Sequence, residues 1–244
     1  MTPEALLAAA LDRAPHPVRL WWRDDDAGAD DERLLPLLRL AETRAAPVAL
    51  AVVPEWLTEA ATRRIFESVP ATVLQHGIAH ADHSAPPARR IELGGSASLS
   101  DLVTDLDRGR RRLAAAFGDR FLPVLVPPWN RVAPALLPYL PEAGLSAVST
   151  FGPRGAAIAG LGRVNTHLDL VLWREGGRPL PLDRALSCLA RLVATHGDEP
   201  IGILSHHKVM DSDAFVALDR ILALVQDHAR ARLASARELF GEKK

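Results

Sequence analysis

Short apolar runs alternate with longer segments of helical period along most of the chain, and this alternation restricts the fold more than any other feature. Strands are expected at 18–22, 47–53, 71–75, 123–126, 146–150, 163–167 and 200–205, with a last short one at 232–236. Helices are expected between them at 31–44, 58–68, 99–117, 134–142, 182–196 and 213–231. Such an order builds a parallel sheet with helices outside it. About seven or eight such units in 244 residues favour a barrel in one domain, 1–244, over an open sheet. No Gly-x-Gly-x-x-Gly turn follows the first strand, which removes the main ground for a dinucleotide fold.

Polar clusters sit where the apolar runs end. Asp24-Asp25-Asp26 follows the first strand, and Gln75-His76-Gly77-Ile78-Ala79-His80-Ala81-Asp82-His83 follows the third. Pro127 to Arg131 follows the fourth, and His206-His207 follows the run ending at Ser205. In a parallel barrel the carboxyl ends of all strands share one face, the face that carries active sites. Two imidazoles and a carboxylate suit a divalent cation of intermediate softness, and three adjacent acids are costly to hold together without a positive partner. A metal ion would account for both clusters.

Composition limits the alternatives. A formal net charge of −1 leaves no cationic surplus for a phosphate backbone, so no nucleic-acid partner is expected. No apolar run approaches bilayer length, and the first residues lack a basic leader, so the expectation is a cytoplasmic protein without a membrane partner. The single cysteine, Cys188, lies on an amphipathic helical segment and reads as a small packed side chain. Arg108, Arg110, Arg111 and Arg112 share a helical pattern with Asp105 and Asp107 and read as a solvated face. Oligomeric state is left open.

With those residues identified, the chain resembles the polysaccharide deacetylase superfamily (NodB homology, carbohydrate esterase family 4-like) over roughly Leu20 to Asp211. The resemblance implies a distorted (β/α)7 barrel holding a divalent metal, usually zinc, with cobalt, nickel or manganese as alternatives. The family's Thr-Phe-Asp-Asp-Gly corresponds to Arg23-Asp24-Asp25-Asp26-Ala27, which implies Asp25 as general base and Asp26 as metal ligand. Sliding the match by one residue gives Asp24 and Asp25 instead. His-Ser/Thr-x-x-His appears as His76-Gly77-Ile78-Ala79-His80 and implies both imidazole ligands. Leu-x-His appears as Leu204-Ser205-His206, which implies His206 as general acid. Two motifs depart from the pattern. Arg-x-Pro-x-Gly is here Val126-Pro127-Pro128-Trp129-Asn130, without its arginine, although Arg131 is nearby. Asp-x-x-Asp-Trp is Asp169-Leu170-Val171-Leu172-Trp173, with leucine for the second acid.

The activity implied is hydrolytic removal of an acetyl group from an N-acetylated amino sugar or a related small N-acyl compound. Substrate contacts are expected from Pro128, Trp129, Asn130, Arg131, Asp169, Trp173 and His83, with Trp129 and Trp173 as aromatic platforms or as filling for the barrel mouth. A backbone N–H near Trp129 is expected to stabilise the oxyanion. His207 should point away from His206, and Asn165, His167 and Asp169 share one parity. The two missing charges motivate a rival reading, a protein that binds a glycan or small ligand without turnover.

Overall fold

The computed structural model describes residues 1–29, 32–68 and 70–241. Helix α1 (Pro3–Arg13) is followed by β1 (Val18–Ala27), α2 (Leu34–Thr43), β2 (Val48–Val52), α3 (Glu59–Glu67), β3 (Ala71–His76), α4 (Leu99–Phe117) and β4 (Phe121–Val126). A 3₁₀ turn (Pro134–Tyr139) stands where a helix over 134–142 was expected, because Pro138 interrupts the ladder. Then come the two-residue strands β5 (Ala147–Val148), β6 (Gly162–Arg163), β7 (Leu168–Asp169), β8 (Val171–Leu172) and β9 (Arg178–Pro179). Helix α5 (Leu182–Thr195), β10 (Ile201–Ser205), α6 (Ser212–Gln226), β11 (Ala231–Leu233) and α7 (Ala236–Phe240) complete the order. The helix expected at 31–44 begins at Leu34, and Asp31 lies outside the described residues.

The sheet is parallel and runs β6-β5-β4-β3-β2-β1-β10-β7, with β11 also pairing β1. It curls into the distorted barrel that the sequence implied. Its edges, β6 and β7, are joined by the intervening chain. The Thr166 N–H donates to Thr150 O (3.0 Å) and the His167 N–H donates to Gly202 O (2.7 Å), so residues 164–167 stitch the seam. The strand expected at 163–167 is therefore reduced to β6 (Gly162–Arg163) and an isolated bridge at Thr166, because this segment crosses between two sheet edges.

Alternation along β1 sorts its side chains. Leu20 and Trp22 face the helices in the main apolar cluster, with Val48, Leu50 and Val73 from the neighbouring strands. Trp21 faces the barrel interior with Ala49, Ala51, Leu74, Val124, Val126 and Ala147. Gly202 lies beside Trp21 because a Cβ there would stand 2.6 Å from the indole nitrogen. The end of the chain, read as a strand over 232–236, forms β11 and then α7. Ala236 joins the interior cluster, and Phe240 packs edge-on against Trp21 (5.7 Å), stoppering the amino end of the barrel. Cys188 is half-buried on α5 and packs against the main cluster. Among the described residues no helix is long and apolar enough to cross a membrane.

Candidate metal centre and catalytic groups

The Asp triplet lies on β1 itself, and its three carboxylates have three different surroundings. Asp24 faces outward and is buried. It accepts hydrogen bonds from Ser205 Oγ (2.6 Å) and the His207 N–H (3.0 Å) and pairs with His207 Nδ1. Trp22 Nε1 donates to the same Ser205 Oγ (2.8 Å), which closes a polar network under the helices. His207 thus points away from the barrel mouth, as alternation predicts. Asp25 faces inward, on the same side as Arg23. Asp26 breaks the alternation, because the register with β2 shifts between Asp24 and Ala27 and Asp26 adopts φ 70°. This bulge swings the third carboxylate over the rim.

There it meets both histidines. His76 Nε2 lies 3.2 Å and His80 Nε2 3.3 Å from Asp26 Oδ1, and the three donor atoms all fall within 4.8 Å of one another. His76 ends β3 and is buried, with Nδ1 2.9 Å from Val126 O. A carbonyl only accepts, so Nδ1 carries the proton, and a ring made neutral by a bound cation would turn an Nε2 lone pair towards the space beside Asp26. A carboxylate oxygen facing imidazole lone pairs is the donor arrangement of a cation site. Metal–ligand bonds of about 2.0–2.2 Å at angles of roughly 90–110° give ligand–ligand edges near 3.0–3.5 Å, which the two carboxylate–imidazole spacings match. With the protein's own charges alone, burial works against ionisation of Asp26, but hydrogen bonds from His76 and His80 hold its carboxyl well below the usual range. His76 is the mirror case. Burial opposes its charge, yet Asp26 and the nearby Asp25 raise it above the ordinary histidine value.

Asp25 is held by Arg23, two residues earlier on the same strand. Arg23 Nε and Nη2 form a fork on the two Asp25 oxygens (2.8 and 2.9 Å). The same guanidinium donates to Ser149 Oγ (2.7 Å), Ser149 O (3.2 Å) and Asn130 Oδ1 (2.7 Å), and it is 0% exposed. Across the mouth, His206 Nδ1 stands 3.8 Å from Asp169 Oδ1. Asp169 accepts from the Val171 N–H (2.9 Å) and from Trp173 Nε1 (2.9 Å), and the Trp173 ring meets His206 edge-on at 4.9 Å. Burial pushes the Asp169 carboxyl up, against the opposing pull of His206 and those two donors. The charge of Asp25 acts on His76 and Asp169, and that of His206 on Asp26 and Asp169, so the groups form one constellation.

Five described non-glycine residues have positive φ, and four of them, Asp26, His80, Trp129 and Asn130, lie in this region. Strained backbone of this kind costs about 1–3 kcal/mol per residue and gathers at functional sites.

No protein-family model and no curated protein matches the sequence. Solved structures do match. A putative polysaccharide deacetylase from Mycobacterium smegmatis superposes with TM-score 0.64 at 15% identity, over 91% of this chain and 88% of that one. A family 4 carbohydrate esterase from Streptomyces lividans in complex with acetate gives 0.58 at 14% identity, over 89% and 91%. A family 4 pseudoenzyme from Bacillus anthracis gives 0.59 at 13% identity, over 93% of this chain but only 66% of its own length. The chain has the fold of the family 4 carbohydrate esterases.

Within that carbohydrate esterase fold, several residues expected to touch substrate are engaged by the protein itself. Asn130 accepts from Arg23. Arg131 Nη1 donates to Arg90 O (2.9 Å), so it is not the missing tether of Asp25. His83 Nδ1 bonds Glu92 O (2.7 Å), away from the Asp26–His76–His80 cluster. Pro128 is buried against Gly77. Asp169 bonds Trp173 and faces His206. Trp129 packs edge-on against His80 (4.4 Å), Trp56 lies 5.3 Å from the same ring, and Trp173 is 51% exposed. Asn165 and His167 have hydrogen-bond partners distinct from those of Asp169. Asn165 bonds Thr150, Gly152 and Pro153, and His167 Nδ1 accepts from the Gly202 N–H (3.0 Å). Arg23 is the residue that sequence reasoning missed, although its i, i+2 spacing from Asp25 on a strand was the available signal.

Proposed function

We propose that this protein is a metal-dependent hydrolase that removes an acetyl group from an N-acetylated amino sugar or a related small N-acyl compound. The observation that carries the proposal is the Arg23 fork on Asp25 beside the Asp26–His76–His80 cluster. The family pattern supplies an arginine at the end of the fourth strand, where this chain has Val126, and the nearby Arg131 is bonded to Arg90 O instead. A fork from β1 instead orients the inward carboxylate, so the departure costs the constellation no charge.

Asp26, His76 and His80 would hold a divalent ion, with zinc the first candidate and cobalt, nickel or manganese as alternatives. When bound, the ion supplies Lewis-acid polarisation and lowers the pKa of a water to about 7. Asp25, fixed by Arg23, takes the proton from the attacking water. The Trp129 N–H is the amide assigned to the developing oxyanion, because the next two amides already bond Pro127 O and Pro128 O. His206 gives its proton to the departing nitrogen, with the Asp169 carboxylate 3.8 Å from its Nδ1. The exposed face of Trp173 offers a sugar ring an apolar surface beside the acid.

A second reading, ligand binding without turnover, is favoured by Leu172, which stands where the family pattern has its second Asp. One assay separates the two: acetate release from N-acetylglucosamine oligomers after chelation and re-addition of Zn²⁺ or Co²⁺. Metal-dependent release supports the hydrolase. Saturable binding of the oligomer without release supports the binding protein.

A further inference from the structure

His80 stands in a loop whose own side chains give it no polar anchor, although its ring packs against Trp129 and Trp56. The span Gly77-Ile78-Ala79 has no polar side chain, and His80 adopts φ 59°. What the loop wraps around is one carboxylate from a distant segment. Glu92 is 1% exposed. Its Oε2 accepts from the Ile78 N–H (3.0 Å), and its Oε1 accepts from the Ala79 N–H (2.7 Å) and the Ala81 N–H (3.1 Å). The bonded amides flank His80 on both sides. Gly77 is glycine for the same reason, because a Cβ there would lie 1.9 Å from Glu92 Oε2 and 2.6 Å from the Pro128 ring.

Glu92 is itself anchored. Its carbonyl accepts from His83 Nδ1 (2.7 Å), and the next residue, Leu93, accepts from the Ala133 N–H (2.8 Å). His76 needs no such help, since it ends a strand and holds Val126 O. The two imidazoles therefore depend on separate supports.

We infer that Glu92 is the positioning residue for His80, setting the affinity and geometry of the metal centre without touching the ion. The inference rests on the metal reading of Asp26, His76 and His80. Three N–H donors require an acceptor-only group, which an ionised carboxylate is and a carboxamide is not. In Glu92→Gln one N–H of the loop would face an NH₂, donor against donor, and His80 would lose its fixed direction. Groups that orient metal ligands typically alter affinity 10–100-fold when changed.

The test uses the full chain stripped by chelation, titrated with Co²⁺ and Zn²⁺ in competition with a chelating dye. The visible spectrum of bound Co²⁺ and urea unfolding of the metal-free protein are recorded in parallel. Glu92→Gln should bind about 10–100-fold more weakly, with a changed Co²⁺ spectrum. If Glu92→Gln does not fold, Glu92→Asp retains the charge but withdraws it from the loop, and the same loss is expected. A variant that is less stable yet binds Co²⁺ with wild-type affinity and spectrum overturns the inference, leaving Glu92 a purely structural residue. Failure of the wild-type chain itself to bind Co²⁺ would instead bring down the metal reading, and the inference with it.

Discussion

Replacing Arg23 by lysine separates charge from geometry at the proposed base. The guanidinium makes five hydrogen bonds, two to Asp25, two to Ser149 and one to Asn130, from a site with no exposure. An ammonium keeps the charge but offers three donors from a single point, so it cannot reproduce the fork. At least two acceptors lose their partners, at about 1–3 kcal/mol each, which predicts destabilisation of roughly 2–6 kcal/mol. Activity should fall further than stability explains. A positioned general base contributes about 10²–10⁴-fold, and a carboxylate free to turn should forfeit about 10²-fold of kcat. Metal content should be unchanged, because Asp26, His76 and His80 hang on other anchors. Urea unfolding, elemental analysis and acetate release, measured on one preparation, give all three quantities. Near-normal kcat in a folded, fully metallated Arg23→Lys would refute the tether.

Asp25→Asn should retain stoichiometric metal and lose turnover by at least about 10²-fold; activity near wild type would remove Asp25 from the base role. Asp24→Asn should act on stability instead, costing about 2–4 kcal/mol, because it weakens a buried carboxylate bonded to Ser205 and His207. Wild-type urea stability for that variant would contradict the division of the Asp triplet. His167 is lowered to about 4 by burial and by the neighbouring His196, so between pH 4 and 6.5 the unfolded chain binds more protons than the folded one. Its contribution is full above about pH 6.5, is lost as pH falls towards 4, and is on the order of 1–2 kcal/mol after screening of the partly exposed ring. His167→Gln should flatten that part of the urea–pH profile, and superimposable profiles would refute the assignment.

Where local chemistry decides an element, the sequence carried it. Helix α4 spans the expected 99–117 because Ser98 caps it and Leu102, Leu106, Leu113 and Phe117 repeat at helical spacing. The clustering of Asp26, His76 and His80 was legible because strand ends in a parallel barrel share a face. The division of labour among Asp24, Asp25 and Asp26 was not, since it depends on a bulge that reverses one residue's direction. The seam at 164–167 was hidden for a related reason: those residues have strand-like composition but bond to two different sheet edges. Glu92 had no local signal at all, because its partners are backbone amides 11 to 14 residues away. The bonds that Asn130, Arg131 and His83 make within the scaffold were hidden too, because sequence cannot tell an exposed polar side chain from one bonded to its own backbone and neighbours.

The central claim, that one cation is held by these three side chains, is tested most directly by anomalous diffraction above the zinc and cobalt edges. Crystals of the wild type and of Asp26→Ala, grown with the metal, provide the comparison. The account predicts a single strong peak within bonding distance of Asp26 Oδ1, His76 Nε2 and His80 Nε2 in the wild type, and its loss in the variant. A wild-type map without that peak, or an undiminished peak in Asp26→Ala, would contradict it.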